Sequence, residues 1–206
     1  MLMLACWRGV WYHLRREQRC GNQEDTGTYP AAVLLKMIRS REVKMKRANI
    51  IFGVCAVLWM VVIFCFSAAD GNESSKTSGW VGRMIGHIFV SGFDDMTETE
   101  QEEWASKIEY PIRKAAHATE YAVLALLAFG TFPLTGFKRY GAAWIFAVFY
   151  AGTDEFHQLF VPGRAGTLFD VGVDSLGALT GLLLLAGIRA LIHRRSKKRE
   201  EVREGV

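Results

Sequence analysis

Apolar and polar positions alternate in long blocks along the chain. Residues 49–69 contain no charged side chain, and about 20 apolar residues in a helix cross the hydrocarbon core of a bilayer. Three further apolar stretches follow at residues 115–132, 140–160 and 167–192. Proline residues before and after the first of these three are typical of helix ends, and residues 161–166 have the composition of a turn. The pattern predicts four membrane-spanning helices.

The first apolar stretch has one alternative interpretation. Basic residues precede it and Ser67-Ala68-Ala69 follows it, which is the arrangement of a cleaved signal peptide. The apolar core of a signal peptide is usually only about 7–15 residues long, and residues 50–66 exceed that length. We therefore favour a membrane-spanning helix that stays in the protein.

The distribution of charged residues predicts how these helices are oriented. The net charge is only +4, but residues 1–48 contain ten Lys or Arg against four Asp or Glu, and residues 70–110 contain three against nine. Residues 189–206 contain seven basic and three acidic side chains, and Lys138 and Arg139 lie between the second and third stretches. Because basic flanks favour the cytoplasm, we predict an all-α integral membrane bundle of four transmembrane helices with both termini cytoplasmic.

Two connections are then expected to lie outside the cell. Residues 70–112 form a long acidic connection, and residues 161–166 form a short turn. The acidic run at residues 94–103 is interpreted as a solvated outer loop or a short surface helix, since charge runs are usually solvated.

The same features divide the chain into three parts. Residues 1–45 form a basic N-terminal extension, residues 46–192 the membrane domain and residues 193–206 a basic cytoplasmic tail. The extension is interpreted either as a segment that is partly helical around residues 31–38 and lies on anionic lipid, or as sequence upstream of a natural start at Met45. Half of the residues are hydrophobic and the mean hydropathy is +0.12, which excludes soluble enzymes, disordered tails and nucleic-acid modules.

Polar residues of the last three stretches fall at the end that this orientation places outside the cell. A charge in hydrocarbon costs at least about 2.5–3.5 kcal/mol on insertion scales, so these side chains are expected to face one another or a wet cavity. Arg113, His117 and Glu120 lie four and three residues apart, on one face of a helix. We predict one polar pocket, formed by Arg113, Lys114, His117, Glu120, Tyr121, Asp154, Glu155, His157, Gln158, Arg164, Asp170 and Asp174.

The fourth apolar stretch also carries a helix-packing signal. Gly177 and Gly181 lie four residues apart, just below Asp174. Such a GxxxG step lets a neighbouring helix approach closely, so we expect a close helix contact beneath the pocket.

Several kinds of chemistry fit such a pocket. One is binding of an anionic headgroup, with phosphate held by Arg113, Lys114 and Arg164. Another is acid–base catalysis, with Glu120 or Asp154 as the base and a histidine as the proton carrier. The plainest alternative is a self-satisfied network of ion pairs that only pins the helices together.

A divalent metal is a further interpretation. Its ligands would be His117, Glu120, Glu155 and His157, but neither His-x-x-Glu nor Glu-x-His is a zincin pattern. The sequence therefore leaves the metal open, and no organic cofactor is predicted. The candidates for catalytic residues are Glu120, Asp154, Glu155, His117 and His157.

Two blocks of the sequence resemble the motifs of VanZ-like membrane proteins. The segment RKAAHATEYAVL at residues 113–124 looks like the first motif, and DEFHQLFVPGR at residues 154–164, followed by Asp170 and Asp174, looks like the second. The resemblance covers about residues 46–192, and the long N-terminal extension departs from the family's usual short start. It implies a bacterial multi-pass protein of the plasma membrane and cell envelope. The family's namesake is associated with low-level resistance to the lipoglycopeptide teicoplanin.

The resemblance and the pocket together imply a function at the outer membrane surface. The first hypothesis is engagement of an anionic lipid-linked or lipoglycopeptide ligand. The alternative is an intramembrane enzyme that acts on a lipid or phosphorylated headgroup through His/carboxylate acid–base or metal chemistry. Membrane lipid is the expected partner and nucleic acid is not.

Overall fold

The computed structural model describes residues 31–204, and in this part of the chain all regular secondary structure is helical, with no strand. It confirms the all-α prediction. The elements are α1 (Ala31–Ala68), α2 (Gly71–Phe89), the short 3-10 helix η1 (Phe93–Asp95), α3 (Glu98–Thr131), α4 (Gly136–Gln158) and α5 (Leu168–Glu204).

Helix α3 lies at the centre of the bundle and contacts each of the other four α-helices. Its residues Tyr121 and Leu124 are fully buried, and no large apolar side chain between residues 111 and 132 is exposed. Small residues at helical spacing let α4 approach it, since Ala143, Ala147 and Ala151 are all fully buried. Other helices therefore partly cover His117 and Glu120 in the second half of α3.

The GxxxG step brings α5 onto α3, and this prediction is confirmed. A Cβ atom built on Gly177 would lie 2.6 Å from the Cα atom of Ala118. One turn further, a Cβ atom on Gly181 would lie 3.0 Å from the Cβ atom of Ala122. Only glycine at residue 177 permits this approach, which places the polar start of α5 beside that of α3.

Within residues 31–204, two helices are long and apolar enough to cross a membrane, and the prediction of four spans stays a prediction. They comprise Met45–Ala68 within α1 and Leu168–Arg199 within α5. Both present large apolar side chains outward, as at Val57 and Leu184, which are 60% and 64% exposed. The apolar parts of α3 and α4 contain ionisable residues of the predicted pocket, which lower the mean hydropathy of these two helices.

The prediction that the second apolar helix begins after Pro111 is wrong. Helix α3 begins at Glu98 and contains Pro111. A capping box starts it, in which the Thr97 side chain accepts from the Glu100 backbone and the Glu100 carboxylate accepts from the Thr97 backbone. These hydrogen bonds lower the pKa of Glu100. Pro111 has no backbone N–H to donate. The helix nevertheless continues through this residue, and the half that precedes it packs against α2, which buries Ala105.

The connection at residues 70–112 is mostly helical rather than a loop. Ser78, Gly82 and Gly86 recur at four-residue spacing and form the buried face of α2. A Cβ atom on Gly82 would lie 3.3 Å from the Cβ atom of Ala105 in α3. The small residues of this face therefore allow α2 and the first half of α3 to pack as a helical hairpin. The acidic composition of residues 70–112 did not predict this hairpin.

The two terminal helices extend beyond the predicted spans. Residues 31–38 are helical, as predicted, and α1 continues without a break past Met45. Helix α5 likewise continues past the predicted domain end to Glu204. Residues 1–30 and 205–206, which belong to the predicted extension and tail, lie outside the described residues. The domain boundaries and the alternative start remain predictions.

Candidate functional site

Two basic residues of α3 already have acidic partners. Lys114 pairs with Asp170 in the first turn of α5, and their side chains are only 21% and 10% exposed. The Nη1 atom of Arg113 lies 3.6 Å from Oε1 of Glu109, one turn earlier in α3. The first pair joins two helices, whereas the second stays within one.

His117 and Glu120 lie one turn apart on α3, as their spacing predicted. The distance from His117 Nδ1 to Glu120 Oε2 is 3.7 Å, and the side chains are 13% and 18% exposed. The indole Nε1 of Trp59 in α1 donates a hydrogen bond of 2.9 Å to the Glu120 carbonyl. Helix α1 thus positions this turn of α3. Trp59 was not among the predicted residues, because a single tryptophan in an apolar helix carries no signal for such a contact.

The last turn of α4 brings three predicted residues together. Gln158 Nε2 donates to Asp154 Oδ2 and to Glu155 Oε1, both at 3.3 Å, and all three side chains are buried. Glu155 Oε2 accepts from the Thr167 backbone at 3.0 Å. The Thr167 hydroxyl accepts from the Asp170 backbone at 3.1 Å. Thr167 was also missed, although threonine directly before an apolar helix is an N-cap signal.

Arg164 ties the connection between α4 and α5 to the end of α1. Its Nε donates to the Ala69 carbonyl and its Nη2 to the Phe66 carbonyl, both at 3.2 Å. Burial, followed by the charge of Arg113, lowers the pKa of Arg164, while neighbouring carboxylates act in the opposite direction. Arginine nevertheless stays charged near neutral pH. Arg164 is therefore both a tether and a cation beside the site.

The geometry gives no support to the metal interpretation. The ring of His157 packs edge-on against the ring of Phe64, with centroids 4.5 Å apart. Across residues 31–204 there is no group of three or more His, Cys, Asp or Glu side chains that could hold a metal ion. The proposed ligands His117, Glu120 and Glu155 thus do not form a metal-binding set with His157.

The centre of the site combines deeply buried side chains from four helices. Tyr121 and Ser67 are 0% exposed, Asp174 is 1% exposed and Asp154 is 3% exposed. The Ser67 hydroxyl and the Tyr121 phenol both approach the Asp154 carboxylate, but without regular hydrogen-bond geometry. Tyr121 OH, Ser67 Oγ, Asp154 Oδ1 and Asp174 Oδ2 have no hydrogen-bond partner. Buried polar atoms usually have partners in folded proteins, and here the two hydroxyls and the two carboxylates lie near one another.

Hydrogen bonds, ion pairs and charge interactions connect all twelve predicted residues into one cluster. The cluster also includes Ser67, Trp59 and Thr167, which the sequence analysis did not include. Carboxylates, imidazoles and hydroxyls at this density bind polar headgroups or transfer protons.

A protein-family model matches the part of the chain that contains this cluster. The VanZ/LLP1 model matches residues 52–191. The chain belongs to the VanZ/LLP1 family. This match confirms the predicted resemblance to VanZ-like proteins, and it relates the protein to teicoplanin resistance by family name. Comparisons with curated proteins and with solved structures gave no match.

Proposed function

We propose that this VanZ/LLP1 protein is a multi-pass protein of the bacterial plasma membrane that acts at the cell envelope. In this proposal four helices cross the bilayer, both termini are cytoplasmic and the polar cluster faces outward. The cluster engages a lipid-linked or lipoglycopeptide ligand that carries anionic groups, and it confers low-level teicoplanin resistance.

One observation carries the proposal. Ionisable residues of three helices lie close together at one end of a bundle in which α1 and α5 present large apolar side chains outward. Ionisable residues inside a membrane are costly and usually line functional sites. Arg113, Lys114 and Arg164 all belong to this cluster, so it carries positive charge for an anionic group as well as carboxylates.

A susceptibility assay in a Gram-positive host tests this function. We expect the wild-type chain to raise the inhibitory concentration of teicoplanin and not that of vancomycin, because only teicoplanin has a lipid tail. Arg113→Gln and His157→Ala should abolish the shift, since each removes a polar group of the cluster. Inhibitory concentrations of both drugs are measured at equal protein levels in the membrane.

Lys107→Gln is the matched control for Arg113→Gln. Lys107 pairs with Glu103 across one helical turn at 2.9 Å, as Arg113 pairs with Glu109, but it is 66% exposed on the first half of α3. This variant should keep the teicoplanin shift. A wild-type chain that is present in the membrane and changes neither inhibitory concentration would refute the proposed role.

Cysteine labelling tests the proposed orientation. In a chain whose four native cysteines are replaced by serine, we expect a membrane-impermeant maleimide to label Ser91→Cys in intact cells. It should label Lys138→Cys only after lysis, because Lys138 lies at the predicted cytoplasmic end. Both positions are exposed, so both should react in lysed cells. Labelling of Lys138→Cys in intact cells would mean that the bundle has the opposite orientation.

The enzyme alternative has one observation in its favour. His117 Nδ1 and Glu120 Oε2 lie 3.7 Å apart in a partly exposed imidazole–carboxylate pair. One water molecule or a substrate group between them could relay a proton from one to the other. If this pair catalyses a reaction on a lipid headgroup, His117→Asn and Glu120→Gln should abolish the teicoplanin shift as fully as Arg113→Gln does. Retention of the shift in both variants would contradict catalysis by this pair, whereas turnover of a lipid headgroup by the purified wild-type chain, and not by either variant, would distinguish catalysis from ligand engagement.

A further inference from the structure

The deeper side chains of the cluster are closed to solvent. Each of the following is at most 3% exposed: Ser67, Tyr121, Asp154 and Asp174. A molecule outside the protein cannot contact side chains that are buried to this degree. A ligand that engages them therefore requires some part of the bundle to move first.

One short connection separates part of the cluster from solvent. The outer turn, residues 161–166, lies between α4 and α5. Pro162 and Ala165 of this turn are exposed. Arg164 instead lies close enough to the cluster to interact electrostatically with Asp154 and with two glutamates. The outer turn therefore has solvent on one side and the acidic end of α4 on the other.

Three hydrogen bonds hold the outer turn against the junction of α1 and α2. Arg164 Nε donates to the Ala69 carbonyl and Arg164 Nη2 donates to the Phe66 carbonyl, both at 3.2 Å. The Gly71 backbone donates to the Pro162 carbonyl, also at 3.2 Å. Phe66 directly precedes the buried serine of the cluster, so the arginine fastens the turn to the part of α1 that contributes to the cluster.

The closest backbone contact between the two segments joins two glycines. A Cβ atom on Gly71 would lie 2.3 Å from the carbonyl oxygen of Gly163, so the two backbones touch. Gly163 has a φ of 72°, which glycine adopts without strain. Because neither glycine has a side chain, separating the two backbones unpacks no side chain at this contact. The outer turn is thus fastened mainly by hydrogen bonds, as is typical of segments that open locally.

We infer that the outer turn is a gate, which Arg164 holds closed and which opens to admit a ligand to Ser67 and Asp154. Opening breaks the two arginine hydrogen bonds to the end of α1. Thr167, the next residue after the turn, is bonded to Glu155 at 3.0 Å, so the movement ends where α5 begins. The inference rests on the proposed function, because a gate serves a protein whose cluster engages a ligand.

The rate of alkylation of Ser67→Cys tests the inference. The substitution is made in the full chain with its four native cysteines replaced by serine, and it places a thiol at a fully buried position. The probe is iodoacetamide, a small neutral reagent, added to membranes from lysed cells so that both membrane faces are accessible. We expect slow alkylation, and at least about tenfold faster alkylation when Arg164→Gln is added. Tenfold corresponds to about 1.4 kcal/mol, and the variant removes two hydrogen bonds from a charged donor.

Two controls separate opening of the gate from other effects. Arg83→Gln is the matched control, because Arg83 lies on α2, pairs with Glu102 at 3.5 Å and is 44% exposed; it should leave the rate unchanged. Ile63→Cys is the second reporter, since Ile63 is fully buried one turn earlier in α1, and it should stay slow when Arg164→Gln is added. Loss of the arginine charge alone would make a nearby thiol less reactive, so faster alkylation reports access.

A second variant weakens the closed turn without removing the arginine. Gly163→Ala places a side chain at a φ of 72°, a conformation that alanine adopts only with strain. It should therefore also accelerate alkylation of Ser67→Cys. Agreement between Gly163→Ala and Arg164→Gln would assign the effect to the position of the turn rather than to the lost charge.

Three results would overturn the inference. Equally slow alkylation of Ser67→Cys in every variant would mean that the outer turn is a fixed part of the bundle. Fast alkylation without Arg164→Gln would mean that the cluster is open in the absence of a gate. Faster alkylation of Ile63→Cys as well as Ser67→Cys would mean that the whole bundle loosens.

These rates are measured without a ligand, so they are independent of the susceptibility assay. A teicoplanin shift without access that depends on Arg164 would leave the proposed function standing and overturn the gate. Access that depends on Arg164 without any teicoplanin shift would support the gate and contradict only the proposed role in resistance.

Discussion

Arg139→Ala is expected to lower the free energy of unfolding by about 3 kcal/mol and the apparent melting temperature by on the order of 10 °C. Arg139 is 8% exposed and caps the end of α3. Its Nε donates to the Phe129 carbonyl at 2.6 Å, and its Nη2 donates to the Gly130 carbonyl at 3.3 Å. The last carbonyls of a helix have no partner within the helix, so alanine would leave both of them buried and unsatisfied.

The arginine also packs against the helix that it caps. Its guanidinium lies 4.5 Å from the centroid of the Phe129 ring, a cation–π geometry that lysine reproduces less well. Arg139→Lys should therefore recover only part of the loss. Lys138→Ala is the control, because Lys138 is exposed and adjacent, and it should change the melting temperature little. Equal effects of Arg139→Ala and Lys138→Ala in purified protein would contradict a capping role.

Arg139 also illustrates what the sequence could and could not predict. Its charge entered the sequence analysis only as a cytoplasmic flank, since charge counts orient helices without naming contacts. That Arg139 reaches back across the turn to α3 depends on how two helices meet, and residues 133–139 carry no signal for it. The role of this charge in orientation therefore stays a prediction, and its role in packing was missed.

Contacts within a single helix were predictable, because residues three or four apart share a helix face. This rule placed His117 beside Glu120, and it applies equally to Asp154 and Gln158, which are four residues apart; both contacts are present. It could not predict which opposite charges pair between helices. The sequence analysis grouped Lys114 with the phosphate-binding residues, whereas in the structure it pairs with Asp170. Partners from different helices depend on packing, which spacing within one helix does not determine.

Helix boundaries were the least predictable part of the fold. Pro111 was interpreted as a helix start, a position where proline is common. The capping box at Thr97 and Glu100 is a local signal that was present in the sequence and would have placed the start of α3 correctly. The passage of α3 through Pro111 has no local signal, because packing against α2 stabilises that half of the helix.

Gly177→Ala is expected to destabilise the protein by about 1–3 kcal/mol. The added Cβ atom would lie 2.6 Å from the Cα atom and 2.7 Å from the carbonyl carbon of Ala118. These are backbone atoms that no side-chain rotation can move, so α5 must shift away from α3. Asp174 lies one turn before Gly177, and the shift should also weaken the contacts of Asp174 with the rest of the cluster.

Gly172→Ala is the matched control for this prediction, because it makes the same substitution in the same helix. A Cβ atom on Gly172 meets nothing within 4 Å, and alanine is favoured over glycine in a helix by about 0.5–1 kcal/mol. The two variants should therefore change the melting temperature in opposite directions, with Gly177→Ala lower and Gly172→Ala equal to or above wild type. If both variants are stabilised, α3 and α5 do not pack through Gly177, and the placement of Asp174 beside Tyr121 loses its basis.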